Sequence, residues 1–165
     1  IDAISVFLET EGALLKDYSA PGVSHISNED VLTCDCDVLV PAALENQITA
    51  DNAEKLNCRY IVEAANGPTT EEADAILEHR GITLIPDIFA NSGGVIVSYF
   101  EWVQNIQELT WDRDQVNEML EKLMSKSFQS LLDAADECHC SYRMAAYIVA
   151  LRKLVTAEKM KGIFP

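Results

Sequence analysis

Pro86–Asn105 reads PDIFANSGGVIVSYFEWVQN, and the succession of residue types along it decides the fold. The apolar run Ile82–Pro86 leads into it and predicts a β-strand. Ala90-Asn91-Ser92-Gly93-Gly94 is a run of small residues and predicts a turn. From Val95 onward the pattern becomes helical and carries Ser98, Glu101 and Gln104. Strand, small-residue turn and helix in that order are how α/β proteins present a ligand site at the carboxyl end of a parallel sheet. Two adjacent glycines predict backbone conformations other residues avoid, and close approach by a flat ligand. Helix-start N–H groups follow, and Asn91 adds both a donor and acceptors. Such a place suits a carboxamide or a ribose.

Two earlier units have the same order. Asp37–Val40 is apolar on both faces, which predicts a central parallel strand ended by Pro41. Ala42 and Ala43 then leave room at the strand end, either for a ligand or for tight packing. Thr49, with Asp51 in the first turn, predicts a helix cap. Tyr60–Val62 is a second central strand, followed by the turn Glu63-Ala64-Ala65-Asn66-Gly67-Pro68. Thr69-x-x-Glu72 has the form of a capping box for a helix to about Arg80, and Gly81 sits where a helix-ending glycine belongs. Asn66 and Asn91 thus stand at neighbouring strand ends. They either converge on one ligand or each bond only their own loop backbone. The acidic group Glu71, Glu72 and Asp74 reads as a solvated helix start.

The flanks are plainer. Ile4–Lys16 carries a partial helical stripe broken by Gly12, Val23–Ile26 predicts a short edge strand, and Ser27 predicts the cap of a helix ending near Thr33. Val95, Ser98, Trp102 and Asn105 fall on one helical face. There Ser98 either meets a carboxylate on an aliphatic arm or bonds its own helix backbone. Asp112-x-x-Gln115 opens a long helix with the apolar stripe Val116, Met119, Leu120, Leu123, Phe128, Leu131 and Leu132. Cys138-His139-Cys140 supplies three crowded side chains where a metal site needs about four ligands, and reads as a helix end. Arg143–Lys159 is a closing helix, so apolar through Ala145–Leu151 that it calls for burial on more than one face.

Three strings, VPAALENQIT (Val40–Thr49), VEAANGPTTEEAD (Val62–Asp74) and ANSGGVIVSYFEWVQN (Ala90–Asn105), resemble the glutamate dehydrogenase family in order and spacing. The similarity runs from Asp35 to the end of the chain. It implies an α/β fold with a partial Rossmann-like parallel sheet, the later half of a dinucleotide-binding domain, with C-terminal helices over 108–165. It implies NAD or NADP as cofactor, with Ala42, Ala43, Asn66 and Asn91 on the cofactor side. It also implies that Val95 packs on the substrate's methylenes and that Ser98 bonds its side-chain carboxylate. The implied reaction is oxidative deamination of L-glutamate to 2-oxoglutarate and ammonia by a homohexameric parent. The family's catalytic lysine and aspartate come from a substrate domain, and no position here matches them. His25, His79 and His139 lie away from the site loops. The absence of a G-x-G-x-x-G turn leads us to expect that residues 1–165 are one partial nucleotide-binding domain, inactive in isolation. The rival expectations are a relative acting on another amino acid, or a non-catalytic module that binds a nucleotide or a partner chain.

Composition is consistent with these readings. Twenty-seven acidic and 12 basic residues give a net charge of −15. That disfavours duplex nucleic acid and anionic membrane as partners, since both demand a basic face. Five unevenly spaced cysteines suit a reducing cytoplasm better than a disulfide framework.

Overall fold

The computed structural model describes residues 2–162. The elements are α1 (Asp2–Leu8), a 3-10 turn (Leu15–Asp17), α2 (Asn28–Thr33), β1 (Val38–Leu39), α3 (Ala50–Ala53), β2 (Tyr60–Val62) and α4 (Glu71–His79). They continue with β3 (Thr83–Ile85), α5 (Asp87–Ala90), α6 (Ser92–Gln107), α7 (Arg113–Cys138) and α8 (Tyr142–Lys161). The three strands form one parallel sheet in the order β1-β2-β3, in register Val38↔Tyr60 and Ile61↔Leu84. This is the α/β architecture expected, with the strand ends aligned on one edge.

Each unit closes as its residues dictate. Ser27 and Asp30 form a reciprocal cap on α2, Thr49 and Asn52 on α3, and Asp112 and Gln115 on α7. Gly81, at φ +72°, ends α4. Ile82 N–H donates to Leu77 O and Gly81 N–H to Glu78 O, so orphan carbonyls are satisfied while Leu77 and Ile82 meet in the core.

That core lies between the sheet and α3–α4. Ile48, Ala53, Leu56, Ile61, Ala73 and Leu77 are wholly buried in it, and a side chain like Ile61 contributes about 1.5–3 kcal/mol by burial. A second cluster, Leu131, Ala134, Ala135, Ala145 and Ala146, joins α7 to α8 through small residues that let the helices approach closely. Phe89 packs on this cluster and stacks on Phe128 at 5.3 Å.

Several expectations are corrected. Val23–Ile26 forms no strand: no neighbouring strand offers it a ladder, and Val23 and Ile26 are exposed. Among the described strands β1 lies at the sheet edge, not its centre, and Val38 and Val40 are half exposed. The α4 cap is Thr70, which accepts from Ala73 N–H. Thr69 is unavailable because its backbone bridges to Ile48, and its buried hydroxyl has no partner. Gly93 and Gly94 do not form a turn of special conformation; they are the second and third residues of α6, with no positive φ. The apolar stripe on α7 is incomplete, since Met119 and Leu123 are exposed. The closing helix, whose apolar pattern called for burial on more than one face, instead leaves Met144, Tyr147, Leu151, Leu154 and Val155 exposed.

Candidate functional site

The loops leaving β1, β2 and β3 are tied to one another by backbone hydrogen bonds. Pro41 O accepts from Ala64 N–H at 3.1 Å and Ala65 N–H at 2.9 Å. Asn46 N–H donates to Gly67 O at 2.9 Å, and Ile48 N–H to Pro68 O at 2.9 Å. The loop after β2 is therefore pinned along the loop after β1. The chain after β3 joins them through Asn91, which ends α5 and starts α6 with φ −95° and ψ 0°.

Asn91 Nδ2 donates to Asn66 Oδ1 at 2.7 Å and reaches Ala64 O at 3.4 Å. The two amides therefore face each other across the strand ends. Asn66 Nδ2 and Asn91 Oδ1 make no hydrogen bond among the described residues, so the pair keeps donors and an acceptor for a ligand. An open cavity of about 690 Å³ adjoins them, lined by Ala43, Asn66, Asn91, Gly94, Val95 and Ser98 together with Leu44, Glu45, Ala64 and Ala65. A Cβ added to Gly94 would meet no protein atom within 4 Å, so a side chain there would intrude only on an occupant. Ser98 is exposed to the cavity, and its Oγ donates to Gly94 O at 3.1 Å. Val95, one turn earlier, is 74% exposed.

Of the residues singled out in the sequence, Ala43, Asn66, Asn91, Val95 and Ser98 share this cavity, while Ala42 is exposed beside it and does not line it. Leu44 and Glu45 line the wall and were missed; their place in the loop after Pro41 was the available signal. None of the three histidines lines it. Among the described residues no group of three His, Cys, Asp or Glu could hold a metal ion. His139 takes φ +50° at the end of α7, so Cys138-His139-Cys140 is a helix terminus.

A buried ion network beneath the loops was also missed. Glu63, fully buried after β2, meets Arg143 of α8 in a two-pronged pair: Nη2 donates to Oε1 at 2.8 Å and Nη1 to Oε2 at 3.0 Å. Arg143 Nε donates to Asp74 Oδ2 at 2.6 Å, which corrects the reading of Asp74 as a solvated helix-start acid. Glu71 and Glu72 are exposed as expected. Burial alone would lower the guanidinium pKa, but the hydrogen bonds and charges of Glu63 and Asp74 outweigh it and the net shift is upward.

The family profile for glutamate/leucine/phenylalanine/valine dehydrogenases matches residues 1–162. The chain is 50% identical over 137 residues to a cryptic catabolic NAD-specific glutamate dehydrogenase of Bacillus subtilis, covering 83% of this chain and 32% of that protein. It is 46% identical over 164 residues to an NADP-specific glutamate dehydrogenase of Halobacterium salinarum, covering 99% of this chain and 39% of that protein. The solved hetero-hexameric glutamate dehydrogenase of Thermus thermophilus, in its leucine-bound form, superimposes with a TM-score of 0.87 at 28% identity, over 99% of this chain and 38% of that one. The chain thus spans between about a third and two-fifths of the length of these relatives. On these matches the chain belongs to the glutamate/leucine/phenylalanine/valine dehydrogenase family.

Proposed function

We propose that the protein catalyses NAD- or NADP-dependent oxidative deamination of L-glutamate to 2-oxoglutarate and ammonia, and that the loops after β1–β3 supply part of its cofactor site. The observation that carries the reading is the 2.7 Å contact between the Asn66 and Asn91 amides on the wall of the cavity that Val95 and Ser98 also line. When bound, the nicotinamide ring takes the hydride from the amino acid's α-carbon. This chain's part is orientation. Asn66 and Asn91 offer unspent donors and an acceptor to the ribose and carboxamide. Gly94 leaves open backbone against a flat ring. Val95 and Ser98 are placed to receive an aliphatic arm that ends in a carboxylate. The groups that move protons are assigned, by the family resemblance, to a lysine and an aspartate of a substrate domain.

The similar relatives include both an NAD-specific enzyme, at 50% identity, and an NADP-specific one, at 46%, so either cofactor suits the reading. Assembly as a homohexamer and residence in the cytoplasm complete it; all five cysteines are free thiols, as a reducing compartment favours. No described helix is long and apolar enough to cross a membrane. Nicotinamide absorbance in the intact protein, followed with glutamate and then with leucine, phenylalanine and valine, tests the reaction. Turnover on glutamate is the expected result, and reduction driven only by one of the other three amino acids would overturn the substrate assignment.

Two substitutions examine the cofactor wall. Asn91→Asp keeps the shape but removes the Nδ2 donor of the 2.7 Å hydrogen bond to Asn66 Oδ1, so the Asn66 amide must turn to donate to the new carboxylate and its donor is spent. Cofactor affinity is expected to fall about 2- to 10-fold, because a hydrogen bond between neutral groups is worth about 0.5–1.5 kcal/mol. Isothermal titration with the dinucleotide reads this directly. Gly94→Ala has the opposite signature: α6 gains about 0.5–1 kcal/mol, as expected for removing a helical glycine, while the new methyl intrudes on the cavity. A higher thermal midpoint with weaker cofactor binding is the expected pair of results.

A further inference from the structure

Resting on that reading, we propose that Arg143 and Glu63 are positioning residues for the cofactor. Their ion pair, through Asp87, sets the separation of the loops that carry Asn66 and Asn91.

The connection is continuous. Glu63 Oε2, besides its bond from Arg143, accepts from Asp87 N–H at 2.9 Å. Asp87 Oδ2 in turn accepts from Gly67 N–H at 2.7 Å, and its Oδ1 lies 3.6 Å from Arg143 Nη1. Gly67 directly follows Asn66 in the chain. Asn91 N–H donates to Asp87 O at 3.1 Å, one helical turn on. Both asparagines are therefore linked to Asp87, which the pair holds: Asn91 by one backbone hydrogen bond, and Asn66 through its neighbour Gly67. None of Glu63, Asp87 and Arg143 lines the cavity, so none touches what occupies it. A carboxylate buried this completely is costly, and an apolar pair of equal volume would stabilise the fold about as well. What an apolar pair could not do is fix two loop amides, Asp87 N–H and through it Gly67 N–H, at hydrogen-bond distances. Val95 and Ser98 stand on α6, outside this chain of bonds.

The test uses the intact protein with Arg143→Lys and Glu63→Gln, which keep a donor and an acceptor in place but lose the two-pronged, charged geometry. Leu131→Ala, in the α7–α8 cluster, serves as a destabilised control. Dinucleotide affinity, KM for glutamate at saturating cofactor and the thermal midpoint are measured for each. Dissociation constants for the dinucleotide are expected to rise about tenfold in both network variants, with glutamate KM within about twofold of the original. Leu131→Ala is expected to melt earlier with its cofactor affinity intact. Unchanged affinity in both network variants overturns the inference, as does an equal loss of affinity in Leu131→Ala, which would reduce the network to general stability. If the unsubstituted protein binds no dinucleotide, the dehydrogenase reading falls and this inference with it. If it binds and the variants match it, only the positioning role falls.

Discussion

Arg143→Met is expected to lower the free energy of unfolding by about 3–5 kcal/mol, the usual cost of leaving one member of a buried ion pair without its partner. Glu63 has no exposure to water and would retain only Asp87 N–H for its two oxygens. Asp74 would lose its 2.6 Å bond from Nε as well. Urea unfolding of the intact protein measures the loss. The double variant Glu63→Gln with Arg143→Met should recover at least half of it, because the stranded charge is then gone. Arg152 and Glu137 provide the comparison. They form a similar two-pronged pair, at 2.7 and 3.1 Å, but with side chains 53% and 62% exposed. Arg152→Met should cost far less than Arg143→Met, since water screens an exposed pair and long side chains lose entropy in forming it. Equal losses at the two arginines would show that burial is not what gives the Arg143 pair its weight.

The two pairs also mark what the sequence let one read. The strands, most of the helices and the three site loops were legible because their signals are local: apolar runs stopped by Pro41, reciprocal caps at Ser27, Thr49 and Asp112, and a glycine at 81. The grouping of Ala43, Asn66, Asn91, Val95 and Ser98 was legible for a topological reason. Parallel strands joined by helices must all release their chains at the same edge. Arg143 was not legible, because its partners lie 80, 69 and 56 positions earlier and no periodicity records such a pairing. Asp74 was misread for the same cause: an acid in a first helical turn is normally explained by the helix dipole alone. The displaced cap at Thr70 is a subtler case. Only Thr69 has a glutamate three residues on, yet its bridge to Ile48 takes it out of play, and Thr70, with Ala73 at that place, caps the helix. Gly93 and Gly94 suggested an unusual backbone but sit in an ordinary helix. The use of Gly94 is the missing side chain, which opens the cavity wall.

Ser98→Ala is expected to lower kcat/KM for glutamate by about 10- to 100-fold, corresponding to the roughly 1.5–3 kcal/mol of a hydrogen bond to a charged group. In the structure the hydroxyl donates to Gly94 O at 3.1 Å, a bond within its own helix that adds little stability. Its proton is therefore free to turn toward a carboxylate entering the cavity, since the carbonyl it leaves stays bonded in the helix ladder. Alanine removes that donor without altering the space, and the fold should be as stable or slightly more so. Leucine offers no carboxylate at that end, so kcat/KM for leucine should stay within about twofold of its original value, the glutamate-to-leucine ratio alone collapsing. A loss shared by both amino acids would point to a displaced helix instead. Undiminished turnover on glutamate would mean that the hydroxyl serves only Gly94, and that the side-chain carboxylate is held by residues elsewhere in the protein.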